Sequence, residues 1–67
     1  MIQDSELIDF IREFRKPKQR YESLDVFKLA LMGKFYGRIT SDDIQELIKR
    51  CKHLGELYVR RDFIHFL

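Results

Sequence analysis

The stretch LGELYVRRDFIHFL, residues 54–67, decides how the chain is read. Up to Leu54 the apolar residues recur every three or four positions, whereas beyond Gly55 they fall in short β-branched and aromatic runs. Leu57-Tyr58-Val59 and Phe63-Ile64-His65-Phe66-Leu67 are separated by Arg60-Arg61-Asp62. Such runs predict two short strands joined in a hairpin and packed on whatever precedes them. The turn has no Asn-Gly or Asp-Gly pair, and a helical tail is the competing reading.

Working back from Gly55, the pattern is helical. Thr40-Ser41-Asp42-Asp43 is a strong start signal. Ile44, Leu47, Ile48, Cys51 and Leu54 make one apolar stripe, Lys49, Arg50, Lys52 and His53 fill the second half, and Gly55 stops the element. A middle helix runs from Glu22 or Ser23 to about Phe35. Leu24, Val26, Phe27, Leu29, Ala30, Leu31, Met32 and Phe35 surround it on nearly every side, so it is expected to be the central and most buried element. Gly33 weakens its last turn and Gly37 is its C-terminal stop. The first helix spans Ser5 to Lys16, capped by Ser5 or Asp4, with Leu7, Ile8, Ile11 and Phe14 on its buried face. Pro17 ends it, and residues 17–21 form a polar, basic connection.

A chain of 67 residues is one domain, 1–67. Its 45% apolar residues, with six Phe and three Tyr, are enough for an ordered core. The expected fold is therefore mainly helical within the α+β class: a three-helix bundle closed by a short C-terminal hairpin. A single cysteine, Cys51, rules out an internal disulfide. Asp4, Glu6 and Asp9 stand where a signal peptide would need a basic start, and no apolar run approaches the ~20 residues of a membrane span. The expectation is a chain that is not secreted and has no membrane association, cytoplasmic, or nuclear in a cell with a nucleus.

Catalytic chemistry finds little support. Cys51 would need an imidazole beside it, and His53, two positions on, falls on another side of the same helix. Cys51-Lys52-His53 supplies one isolated pair where zinc wants three or four ligands. Asp42, Asp43 and Glu46 are the usual acids of a helix's first turn, and Gly33-Lys34 with Gly37 lacks phosphate-loop spacing. No catalytic residue, metal or cofactor is expected. Binding is better supported. Arg12, Arg15, Lys16, Lys18 and Arg20 crowd one segment, Lys49, Arg50 and Lys52 another, and Arg60-Arg61 the hairpin tip. Gathered on one side they would meet phosphate. The plainer explanation for the first two clusters is a helix C-terminus or a solvated face.

Three helices and a hairpin with a basic tip resemble a winged helix-turn-helix. The resemblance rests on Ile39-Thr40-Ser41-Asp42-Asp43-Ile44, Leu47-Ile48, Leu54-Gly55-Glu56-Leu57-Tyr58 and Phe63-Ile64-His65-Phe66-Leu67. Within that superfamily the ending is similar to the small C-terminal domains of minichromosome-maintenance helicases. The resemblance implies DNA as a partner, and equally allows an adaptor role in replication or transcription assemblies. Two features depart from the pattern. Only one helix separates Ile39 from the hairpin. In addition, Ser41, Asp42, Gln45 and Glu46, at the end of the helix that would enter a major groove, are neutral or acidic. The expected nucleic-acid contacts are accordingly Lys16, Lys18, Arg20, Lys49, Arg50, Arg60 and Arg61, reaching the phosphate backbone. The alternative is a protein-interaction module or homodimer. It would use the surplus aromatics Phe10, Tyr21, Tyr36, Tyr58 and Phe66 and an open strand edge at Phe63–Leu67.

Overall fold

In the computed structural model, which describes residues 2–67, the first helix, α1, spans Asp4–Phe14. It begins one residue earlier than the pattern predicts. Its cap is Gln3, whose backbone N–H donates to the Glu6 carboxylate at 2.8 Å. Leu7, Phe10 and Ile11 are buried. The helix closes with the Arg15 N–H on the Ile11 carbonyl, two residues before Pro17 would force a stop.

The connection that follows is not all loop. Lys16-Pro17-Lys18-Gln19 forms a turn in which the Gln19 N–H donates to the Lys16 carbonyl at 3.0 Å and Lys18 takes φ +67°. Proline second and positive φ third are the features of a type II turn. The chain then enters a strand, β1 (Tyr21–Ser23), where a helix start had been expected. A three-residue strand has no periodicity of its own, and β1 exists because β3 offers it a partner. Helix α2 (Leu24–Lys34) follows directly. Its first amide, Leu24 N–H, donates to the Asp62 carbonyl at 2.8 Å and ties the hairpin turn to the helix start.

Helix α3 (Asp43–His53) begins with Asp43 accepting from the Thr40 N–H at 2.8 Å and from the Thr40 hydroxyl at 3.3 Å. The expected apolar stripe is in place: Ile44, Leu47, Ile48 and Cys51 are buried and Leu54 is partly so. Gly55 at φ +76° ends the helix in a conformation costly for other residues. Strands β2 (Leu57–Arg60) and β3 (Phe63–Phe66) form the expected hairpin, so the C-terminal residues are not a helical tail. The sheet is antiparallel with order β1-β3-β2. The segment anticipated as an open edge, Phe63–Leu67, is thus mostly the central strand.

The helices cover one face of this sheet. Leu57, Ile64 and Phe66 join Leu7, Phe10, Ile11, Phe27, Leu31, Phe35 and the α3 stripe in a single core. The phenyl rings form its centre: Phe27 lies 5.5 Å from Phe10 and 5.4 Å from Phe14, and Phe14 reaches Phe66 at 6.3 Å. Two of the supposedly surplus aromatics, Phe10 and Phe66, are therefore consumed by the core. Helix α2 is not the most buried element. Only Phe27 and Leu31 within it are buried, while Val26, Leu29 and Met32 face solvent. An all-round apolar helix predicts all-round cover only when there is chain enough to provide it, and in 67 residues there is not.

Candidate functional site

The outer face of the sheet carries the most unusual chemistry. Alternation along β2 and β3 turns Leu57, Val59, Ile64 and Phe66 inward and Tyr58, Arg60, Phe63 and His65 outward. Pairing then aligns side chains across all three strands, with Tyr58 opposite His65 and His65 opposite Tyr21. One step along, Arg60 is opposite Phe63 and Phe63 opposite Ser23. An antiparallel sheet usually presents polar residues to water on its uncovered face. Here that face carries four aromatic rings.

The rings touch one another. Tyr58 and His65 lie parallel with centroids 4.9 Å apart. Tyr21 is 6.0 Å from His65 and meets Phe63 edge-on at 5.9 Å. These contacts order the rings without covering them: Tyr21 stays 59% exposed, Tyr58 46% and Phe63 44%. No outward-facing strand position is a carboxylate; besides the rings there are only Arg60 and Ser23.

The expected basic residues divide around this face. Hydrogen bonding of the Phe66 N–H to the Arg20 carbonyl at 2.9 Å sets the Lys16, Lys18 and Arg20 segment beside the end of β3. Arg60 and Arg61 sit at the hairpin turn, the other end. The four residues of β3 put about 13 Å between the ends. Among the described residues, none of these five cations is in an ion pair. Lys49 is exposed on α3, in the helical layer on the other side of the sheet. Arg50 is held by Asp4 at the start of α1. The three clusters therefore do not converge: two flank the aromatic face, and the α3 cluster is apart from it.

Both non-glycine residues with positive φ, Lys18 at +67° and Arg61 at +56°, belong to the flanking clusters. Left-handed backbone costs an L-residue about 1–2 kcal/mol, and Gly or Asn is the ordinary choice there. The type II turn requires it at Lys18 and the two-residue hairpin loop at Arg61, yet neither turn has taken the residue that would adopt it most easily.

Several other charges tie the scaffold together. Arg38 forks onto both Glu6 oxygens at 2.8 and 3.1 Å, and Arg12 holds Glu56 at 2.8 Å. The Arg38 guanidinium and then the Gln3 amide hold the Glu6 carboxyl at about 2, well below its ordinary 4.5. A shallow cavity of about 400 Å³ lies between the chain start, residues 38–39 and α3. Its arginines, Arg38 and Arg50, are the ones already paired with Glu6 and Asp4. Cys51 is fully buried, and burial pushes its thiol up to about 11 against the opposing pull of Arg50. Among the described residues no group of three or more His, Cys, Asp or Glu is placed to hold a metal ion, and no helix is long and apolar enough to cross a membrane.

Tyr21, Tyr58, Phe63 and His65 were not among the expected nucleic-acid contacts; Tyr21 and Tyr58 entered only as surplus aromatics, and Phe63 and His65 only within the expected strand edge, of the protein-interaction alternative. The alternation in residues 57–66 does carry the signal for three of them, since it sorts Tyr58, Phe63 and His65 onto one side once the hairpin register is known. Tyr21 gave no such signal. It sits in a polar connection and becomes a sheet residue only by pairing with His65. Compared with protein-family models, with curated proteins and with solved structures, the chain matches none.

Proposed function

We propose that the chain is a winged-helix-like module that binds single-stranded nucleic acid across the outer face of its sheet. The carrying observation is the row of touching, exposed rings with no carboxylate among them and free cations at both ends. The winged-helix reading is supported by the element order α1-β1-α2-α3-β2-β3 and by a short strand between the first two helices completing a sheet with the hairpin.

The mechanism follows from the chemistry of the face. Tyr58 and His65 already form a parallel stack, and a base laid on the free side of Tyr58 extends it. Phe63 and Tyr21 offer further ring surface. Stacking on an exposed aromatic contributes about 1–3 kcal/mol per base and tolerates any sequence. A sheet of this size takes about two or three bases. Arg60 and Arg61 at one end, with Lys18 and Arg20 at the other, meet the phosphates entering and leaving. Duplex reading by α3 is disfavoured, because Asp42, Asp43 and Glu46 would confront phosphate at its leading end.

The test is fluorescence anisotropy with labelled oligo-dT and oligo-U against a duplex of equal length, from about 20 to 200 mM salt. Single strands are expected to bind tightest at low salt, and Arg60→Ala with Arg61→Ala to flatten the salt dependence. Absence of single-strand binding at low salt overturns the proposal, as does binding indifferent to Tyr58→Ala and Phe63→Ala together.

A further inference from the structure

The sheet has two edges, β1 and β2, and they are finished differently. Along β1, the Phe66 N–H donates to the Arg20 carbonyl and the Leu24 N–H to the Asp62 carbonyl. Alternation therefore turns the backbone of Tyr21 and Ser23 away from β3. Side chains close this edge. The Gln19 amide donates to the Tyr21 carbonyl at 3.1 Å, and the Ser23 N–H donates to the Glu22 carboxylate at 2.9 Å. Beyond Ser23 the chain goes straight into α2. Along β2, the Leu67 N–H donates to the Glu56 carbonyl at 3.0 Å, and Arg60 faces Phe63 across the hairpin loop. The same alternation points Glu56, Tyr58 and Arg60 at β3 and turns the backbone of Leu57 and Val59 outward. Among the described residues, no other backbone segment pairs with that outward edge. Open edges are commonly blunted by a proline, a bulge or an inward-pointing charge. Strand β2 has none of these: it reads Leu-Tyr-Val-Arg, its register with β3 is unbroken, and its inward residues are Leu57 and Val59.

We infer that β2 pairs edge to edge with β2 of a second copy, antiparallel about a two-fold axis at Tyr58. Leu57 of each copy then exchanges N–H and carbonyl bonds with Val59 of the other, so every outward group of the strand is satisfied. An axis at Leu57 or at Val59 would pair that residue with itself and leave the other facing residues outside β2. Position 58 is what favours a copy over an unrelated strand. The axis sets the two Tyr58 residues side by side as a non-hydrogen-bonded pair, with Cβ atoms about 4.5–5.5 Å apart on the outer face. In one chain the row Tyr21, His65, Tyr58 stops at the sheet edge, where Tyr58 is 46% exposed. Across the axis it continues into Tyr58, His65 and Tyr21 of the other copy. Like charges stay apart, because the two Arg60 residues lie on opposite sides of the axis, about 13 Å from one another along the strands. The pairing itself needs no nucleic acid. Its consequence for binding rests on the function proposed above: the joined faces form one stacking platform, and its ligand is a single strand of about four to six bases.

Sedimentation equilibrium of the full chain without nucleic acid, from about 10 μM to 1 mM, is expected to show a concentration-dependent dimer. Amide hydrogen exchange locates the contact. At high concentration the Leu57 and Val59 amides are expected to be protected at least tenfold over the dilute chain. Val59→Pro removes one outward donor, which an edge strand tolerates, and is expected to weaken the dimer at least tenfold. Tyr58→Lys sets like charges across the axis without touching the core, and is expected to do the same. Circular dichroism checks that both variants keep the fold. A monomer at every concentration overturns the inference. So does a dimer in which Leu57 and Val59 stay unprotected, or one that survives Tyr58→Lys. A monomer that binds single strands overturns only the pairing, whereas a dimer that binds none overturns the function proposed above and leaves the pairing in place.

Discussion

Helices α2 and α3 are both eleven residues long and border the same core, yet they were built on different plans. In α3 every strongly apolar side chain lies on the stripe that the core covers, and what remains is charged or polar. In α2 the apolar residues continue around the helix, so Phe27 and Leu31 are completely buried while Leu29 is bare. The sheet follows the second plan: Leu57, Ile64 and Phe66 go inward, and Tyr21, Tyr58 and Phe63 go outward. What this teaches is that surface on this domain is of two kinds. One is polar and explained by solvation; the other is apolar and has no explanation within a single chain. The outer face of the sheet is therefore where a partner is sought.

The difference between the two sides of α2 has the largest measurable consequence. Phe27→Ala should cost about 3–5 kcal/mol in chemical denaturation, because its ring sits among Phe10 and Phe14 and leaves a cavity that they cannot fill. In so small a domain that loss removes much of the total stability. A cost below about 1 kcal/mol would mean that the phenyl cluster is not the centre of the core.

On the sheet, Tyr58→Ala and Phe63→Ala should each weaken single-strand binding by about 1–3 kcal/mol, read as a change in Kd at fixed salt. Neither should move the unfolding midpoint comparably. Arg61→Gly sharpens the contrast by driving the two measurements apart. Releasing the positive φ should raise stability by about 1 kcal/mol, while losing the guanidinium lowers affinity. If stability is unchanged, Arg61 is not strained there.

The polar surface should answer to pH. Glu6 has its carboxyl at about 2 in the fold against an ordinary 4.5, so the unfolded chain binds its proton more readily. Its contribution is present above about pH 4.5 and is lost as pH falls towards 2. The gap in melting temperature between the wild type and Arg38→Gln should be widest near neutral pH and close over that range. The smallest effect belongs to the bare side of α2: Leu29→Ala should stay within about 0.5 kcal/mol of wild type in dilute, monomeric conditions. A larger loss there would show that Leu29 is part of the folded core after all.

Local signals were enough for much of the architecture. The switch of period at Gly55, the acidic start before Ile44 and the proline at position 17 fixed three helices and a closing hairpin, because each depends on neighbours within a turn or two. The same local character explains why Cys51 reads as a core residue from its place on the α3 stripe. Arg60 and Arg61 were legible as a pair, since a turn has no structural need for two arginines. By itself, then, the sequence determined which segments are helices, where the hairpin closes and which side of α1 and α3 is buried. Three things depended on contacts between segments far apart in the chain. The strand β1 is too short to carry a period and forms only against β3. The bare side of α2 was indistinguishable from its buried side until the rest of the chain had chosen one. And the aromatic face exists only because Tyr21 is brought beside His65, forty-four positions away, with the basic segments set at its two ends. Local pattern is a property of a few consecutive residues, whereas cover and alignment depend on the whole fold.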